Sequence, residues 1–289
     1  MLTRLLLLFT VIVWGWTFVA TKICLDFVNP VELLGLRLLL GLPVLFAVIV
    51  FKRVRFDFTR GEWARVLIGA AVITSHFLIQ ISGMQYTTAT NTGWIISVTP
   101  LVMAALSFVF LKERLGRFQY AGIAVATCGI LLLVSRGHLA SFGWLKSTGD
   151  WLVLISAHTW AIYTVVTRDI SRKKDPLAVT FAMLVPALVV TLCYIMFISD
   201  WSRIAQMSPR AVWALLFLAI PGMALGQWFW QVGVAKIGAA RAGIYLYLEP
   251  VATTVLAIPL LHEPFGLPTA LGGGLVLAGV WLGQRQKTG

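Results

Sequence analysis

Charge is what this sequence has least of. Of its 289 residues only 12% are Asp, Glu, Lys or Arg, and only 11 are acidic. A soluble domain carries about 25% charged residues, so a water-facing surface around the whole chain is excluded. Long polar connections are missing too: the widest break between apolar runs is 136–149. Cysteine is reduced to Cys24, Cys128 and Cys193, far apart and each within or beside an apolar run. That spacing excludes a disulfide framework or a thiolate metal site and leaves the three as packing residues. Alternating apolar and polar positions are absent, which excludes a membrane β-barrel. There is no GxxxxGK[ST] loop for nucleotide drive, no HExxH or paired-aspartate motif for a membrane metalloenzyme or prenyl transferase, and no TVGYG filter. No cofactor is expected.

What is present is apolar length. Hydrophobic residues make up 59% of the chain, in runs of about 20, enough to cross the hydrocarbon core as helices. Ten spans follow: 5–24, 31–51, 65–84, 90–111, 118–135, 150–168, 177–198, 211–234, 242–261 and 267–284. The run after Arg4 is too long for a signal peptide's apolar core and lacks a small-x-small cleavage site, so it reads as the first span. The expected fold class is all-α, a polytopic membrane protein.

The net charge of +12 points to orientation in the bilayer rather than to nucleic acid, because the basic residues sit in short loops. With the N-terminus cytoplasmic, the cytoplasmic side holds Arg4, the 52–65 cluster, Lys112, Arg114, Arg117, the 168–174 cluster, Lys236, Arg241, Arg285 and Lys287. The other side holds only Lys22, Arg136, Lys146, Arg203 and Arg210. That bias predicts both termini in the cytoplasm.

The chain also repeats itself. Shifted by 150 positions, Gly83, Gly93, Pro100, Glu113, Gly116, Gly122 and Gly129 meet Gly233, Gly243, Pro250, Glu263, Gly266, Gly272 and Gly279. A shift of 146 pairs Trp14 with Trp160, Thr21 with Thr167, Lys22 with Arg168 and Pro30 with Pro176. Residues 1–135 and 150–289 therefore read as two copies of one unit, joined by a linker at 136–149. Five spans return the chain on the opposite side, so the second copy starts upside down. Inverted repeats of this kind place substrate sites near the midplane, between the copies.

Thr99-Pro100-Leu101 followed by Lys112-Glu113 and Gly122, and Glu249-Pro250-Val251 followed by His262-Glu263-Pro264 and Gly272, carry a family resemblance. The chain resembles the ten-helix EamA group of the drug/metabolite transporter superfamily over its whole length. The resemblance implies two five-helix bundles, small organic substrates such as amino acids, and export. Glu249 matches a glutamate often found in that family's second motif.

Glu249 is also the sharpest candidate on physical grounds. It stands eight residues into its span, where an ionisable group costs several kcal/mol unless paired, hydrated or protonated. The alternative is a neutral acid tying two helices together. Pro250 lacks an N–H and frees a carbonyl one turn earlier. Arg37, two turns into span 2, either snorkels outward or meets a substrate carboxylate through its planar fork. His76 and Gln80 share a face of span 3, with Gln227 and Trp230 at a similar depth on span 8 and Trp230 as the repeat partner of Gln80. Tyr163 on span 6, Tyr245 one turn before Glu249, and Trp94 complete the expected substrate-binding set. Trp14, Trp16, Trp160 and Trp228 line a cavity or fill the bundle, and packing is the better reading for any single one. Glu113 and Glu263 are expected to cap the next helix.

The expectation is a secondary transporter of small metabolites in the cell's inner membrane, working by alternating access. Its partners are the lipid bilayer, a small-molecule substrate and, as a further candidate, a coupling proton; nucleic acid is not among them. The chain acts as a monomer or a homodimer, which the sequence leaves open. Uptake or cationic-drug transport on the same fold, an intramembrane lipid enzyme, and a non-transporting scaffold are the rival readings.

Overall fold

The computed structural model describes residues 1–134, 147–261 and 267–283. Among these, every regular element is helical: α1 Leu2–Leu25, α2 Pro30–Lys52, α3 Arg60–Gln85, α4 Ala89–Ile96, α5 Thr99–Leu111 and α6 Arg117–Val134, then α7 Thr148–Lys173, α8 Pro176–Ile198, α9 Trp201–Ala205 and α10 Pro209–Phe217. A π-helical stretch, Leu218–Leu225, joins α10 to α11 Gly226–Ile237. A 3₁₀ stretch, Ile244–Leu248, joins α12 Ala239–Gly243 to α13 Glu249–Leu261, and α14 Leu267–Gly283 closes the described chain.

Seven of the resulting rods are long and apolar enough to span a membrane: α1, α2, α3, α4–α5, α8, α10–α11 and α12–α13. Two shorter apolar helices cover Arg117–Leu132 and Ala270–Gly283. With α7 these make ten rods, at the ten places the hydropathy predicts. The expected linker falls mostly outside the described residues, but Ser147 already caps α7 and Gly149 lies in its first turn.

The helix starts are written in the sequence. Asn29, Thr59 and Ser147 each accept from the N3 backbone N–H, while Glu32, Glu62 and Asp150 reach back to the cap. Such reciprocal caps satisfy donors that the helix itself leaves orphaned. Pro30 and Pro176 occupy first-turn positions where a missing N–H costs nothing.

The halves pack through an inverted pseudo-twofold. A Cβ on Gly122 would lie 2.5 Å from the Gly279 carbonyl oxygen, and one on Gly129 would lie 2.7 Å from that of Gly272. Residue numbers rise along α6 as they fall along α14, so the two helices cross antiparallel. Each glycine also faces the other's repeat partner, as a twofold axis through the crossing requires. Bare glycine backbones allow this close approach. The same exchange recurs elsewhere: Gly83 packs on Val153, and its partner Gly233 packs on Leu7, the counterpart of Val153.

One face of the bundle, here the N-terminal face, gathers the start of α1, the ends of α2 and α7, and the α5–α6 and α11–α12 turns. Lys174 there joins Asp57 and Glu62 at 3.4 Å each. Glu113 corrects the capping expectation. Its carboxylate accepts the Ala240 N–H at 3.1 Å, at the start of α12 in the other half, and pairs with Arg168 at 3.0 Å. The next helix in sequence is served instead by Gln119, which accepts from Gly116 N–H. Gly238 is needed beside Glu113: its φ is +88°, and a Cβ would sit 2.8 Å from a carboxylate oxygen. Glu263 lies outside the described residues. Cys24 is buried in the core, but Cys128 and Cys193 lie on outward faces. The packing role expected for those two does not hold, because their helix faces point away from the bundle.

Candidate functional site

A polar cavity lies at the junction of the halves. It is lined by Trp14, Thr17, Phe18, Arg37, His76, Phe77, Gln80, Ile96, Thr99, Trp160, Gln227, Leu246 and Glu249. Four pairs of repeat counterparts are among them: Trp14 with Trp160, Phe77 with Gln227, Ile96 with Leu246, and Thr99 with Glu249. A cavity lined by counterparts lies on the pseudo-twofold itself. Trp14 and Trp160 meet there edge to face, with ring centroids 4.9 Å apart.

Backbone irregularities aim the polar groups. Pro250 cannot donate to the Leu246 carbonyl, and the Glu249 N–H takes that carbonyl instead in a 3₁₀ turn. The free carbonyl expected before Pro250 is therefore satisfied. The tighter winding also eclipses residues three apart, so Leu246 and Glu249 share the cavity face. The first half repeats the device: Ser97 and Val98 donate to Trp94 and Ile95, three residues back, and Ile96 and Thr99 face the cavity. In the second half, Pro221 sits inside the π-helical stretch, where the Gly222 carbonyl accepts the Trp14 indole N–H at 2.9 Å. Gly226 then lets the same indole pack onto backbone, since a Cβ would lie 2.6 Å from its Nε1.

The electrostatics are unusual for a membrane interior. Arg37 is 4% exposed and Glu249 3% exposed. Among the described residues neither forms an ion pair, and the Glu249 carboxyl takes no hydrogen bond. The Arg37 guanidinium lies 5.4 Å from the Phe77 ring centroid, and its Nε has no partner. The snorkelling alternative for Arg37 is not what the fold adopts. Thr99 Oγ1, Trp160 Nε1 and Gln227 Oε1 are also buried without partners. Buried polar groups are normally satisfied, and these five can all be met from within the one cavity, by water or by a polar solute. His76 Nδ1 is 2.9 Å from the Ser156 carbonyl, which puts the ring proton on Nδ1. Its ring stacks against Trp160 at 4.9 Å.

Of the nine residues expected at a substrate site, the cavity gathers Glu249, Gln227, His76, Gln80 and Arg37. The other four stand elsewhere. Tyr245 is turned away by the 3₁₀ winding and lines a separate cleft at the N-terminal face. Trp230 is fully buried behind the cavity, against Trp14 and Trp160, and donates to Thr164 Oγ1 at 3.3 Å. Tyr163 Oη accepts from Gln231 Nε2 at 2.6 Å, in a helix-tying network with Ser171. Trp94 packs in the core. The residues that sequence reasoning passed over are Thr17, Phe18, Phe77, Ile96 and Leu246. The signal for one of them was available: adding 150 to Phe77 gives Gln227, an expected site residue.

Ten helical rods, nine of them apolar along their length, in two inverted halves closed around a buried polar cavity define a polytopic membrane protein. The sequence model of the EamA-like transporter family matches residues 1–135 and again 147–283; the chain belongs to that family. An uncharacterized transporter of Archaeoglobus fulgidus is 28% identical over 281 residues, covering 97% of this chain and 96% of the relative. A probable terminal-alkyne amino-acid exporter of Streptantibioticus cattleyicolor is 26% identical, covering 98% and 93%. A solved crystal structure superposes with a TM-score of 0.77 at 19% identity, covering 98% of this chain and 96% of the other. That likeness concerns the fold alone.

Proposed function

We propose that this protein exports small zwitterionic metabolites, amino acids above all, by alternating access through the central cavity. The observation that carries the reading is that Arg37 and Glu249, both buried and both unpaired, line one cavity. A guanidinium binds a carboxylate through paired N–H donors, and a carboxylate binds an ammonium, so the two ends of an amino acid find complementary partners. Thr99, Gln227 and Trp160 supply further polar contacts, and Phe18, Phe77 and Trp14 an apolar wall. Export is supported by the exporter named among the relatives.

The cavity offers about 40 Å³ to water centres, room for about three waters. An amino acid needs a wider state. Rocking of the halves about the Trp14–Trp160 axis gives that state in the inverted-repeat mechanism. The basic residues of the N-terminal face favour the cytoplasm of the inner membrane for that face and for both termini. Arg37 counts against the cationic-drug reading, since it repels a positive cargo.

The test is a screen of zwitterionic, anionic and cationic metabolites against purified protein by thermal shift. Flux of the hits in sealed proteoliposomes follows, with and without a pH gradient. Zwitterions should bind and move in the wild type, and Arg37→Gln should weaken carboxylate-bearing substrates selectively. Binding of cations alone, unaffected by Arg37→Gln, would overturn the reading.

A further inference from the structure

A second cleft opens at the N-terminal face and shares no residue with the central cavity. Arg4 of α1, Gln119 of α6, Ile237 of α11, Arg241 of α12, Ile244 and Tyr245 of the 3₁₀ stretch, and Gly283 of α14 line it. Arg4 and Arg241 are exposed, and neither makes an ion pair among the described residues. Tyr245 is 3% exposed, yet its hydroxyl has no hydrogen-bond partner among the described residues. Gln119 is buried too, and its Oε1 is already taken by the Gly116 N–H at 2.6 Å, which leaves only the Nε2 hydrogens to offer.

The unused polar groups of the cleft are therefore two guanidinium groups, a phenol O–H and a carboxamide NH₂. Three of these four groups can only donate, and among the described residues no carboxylate lines the cleft. Glu113, which accepts the N–H of Ala240 beside Arg241, is paired with Arg168. Side-chain donors with no described carboxylate among them, one being the unpartnered hydroxyl of Tyr245 where it opens to the cleft, call for an oxyanion. Arginine matches a phosphate's paired oxygens through its fork, and two arginines flanking a buried donor suit a phosphate better than a single carboxylate. The apolar surfaces of Ile237 and Ile244 beside them suit an ester with hydrocarbon nearby.

We propose that this cleft is a phosphate-binding site, distinct from the transport cavity, in which Arg4 and Arg241 hold the phosphoryl oxygens and Tyr245 and Gln119 donate from beneath. A phospholipid headgroup and a soluble phosphate share that chemistry. Occupancy would tie α1, α6, α12 and α14 together at the ends of both halves.

The test is native mass spectrometry of the full chain in detergent. It is titrated with phosphatidylglycerol, with phosphatidylcholine, and with phosphatidylglycerol plus millimolar inorganic phosphate. The proposal expects phosphatidylglycerol to bind at least fivefold tighter than phosphatidylcholine, or inorganic phosphate to bind and compete. Competition assigns a site open to soluble anions, and its absence assigns the lipid headgroup. The double substitution Arg4→Gln with Arg241→Gln should reduce binding at least tenfold, and Tyr245→Phe, which removes one hydroxyl, about threefold. The elution volume on size exclusion serves as the folding control. Should the double variant be misfolded, the Tyr245→Phe shift alone decides. Equal binding of the two lipids without phosphate binding, or well-folded variants with wild-type affinity, would overturn the assignment.

Discussion

The Glu249 N–H donates to the Leu246 carbonyl, three residues back, across the last turn before Pro250. That bond decides which side chains share the cavity with Glu249. In an α-helix Tyr245, four residues back, would stand over the carboxyl; in the 3₁₀ turn Leu246 does. Pro250→Ala restores an N–H that can reach Leu246 and relaxes the turn toward α winding. The variant should remain folded, because the helix is otherwise intact, but lose substrate affinity by about tenfold, or about 1.4 kcal/mol. Binding isotherms of wild type and variant check this; unchanged affinity would mean that the 3₁₀ turn does not set the site.

The α6–α14 crossing should be the least forgiving contact between the halves. Gly122→Leu must displace the backbone of Gly279 and Gly283, which lie within 2.7 Å of a Cβ built at 122. Overpacking of this kind costs about 1–3 kcal/mol. Gly273→Leu is the control, since nothing lies within 4 Å of its built Cβ. Thermal melts in detergent should show a clear drop for the first and almost none for the second.

Glu113 links three segments from both halves at the N-terminal face. Glu113→Ala removes the acceptor of the Ala240 N–H and the partner of Arg168 together, and should cost about 1–3 kcal/mol. Glu113→Gln keeps an acceptor for Ala240 and should cost less. A double-mutant cycle with Arg168→Gln separates the ion pair from the cap. If the two Glu113 variants melt alike, the carboxylate's charge contributes little.

Orientation can be read by labelling. Single cysteines replacing Arg55, Arg117 or Lys173, in a background without Cys24, Cys128 and Cys193, should react with a membrane-impermeant reagent only from the cytoplasmic side. One replacing Arg203 should react from outside. The reverse pattern would mean that the Lys/Arg count misassigns the termini.

Much of this architecture is legible in the residues. The repeat offsets, the proline and glycine positions and the capping boxes foreshadow ten rods in two inverted halves. Arg37, His76, Gln80, Gln227 and Glu249 stand out because polar groups are scarce in such a chain. Helical periodicity misplaces Tyr245 because hydropathy does not encode local 3₁₀ or π winding. Trp230, Tyr163 and Trp94 fail to reach the cavity for a plainer reason: aromatic side chains at cavity depth are often wall-backing rather than wall. Phe77, the counterpart of Gln227, was within reach of the repeat offset, and an axis-centred cavity is where such offsets are most informative. Thr99, the counterpart of Glu249, lines the same cavity with a small hydroxyl side chain.

Under the proposed function Glu249 is an anionic or proton-carrying partner of the cargo rather than a neutral tie between helices. Glu249→Gln preserves size and hydrogen bonding while removing the titratable charge. The measurement is driven flux of an amino-acid substrate in sealed proteoliposomes, with size-exclusion behaviour as the folding control. The predicted result is a folded, inserted glutamine variant with driven flux lost, and partial activity for Glu249→Asp. A well-folded glutamine variant that transports at the wild-type rate, with unchanged pH dependence, would contradict the account.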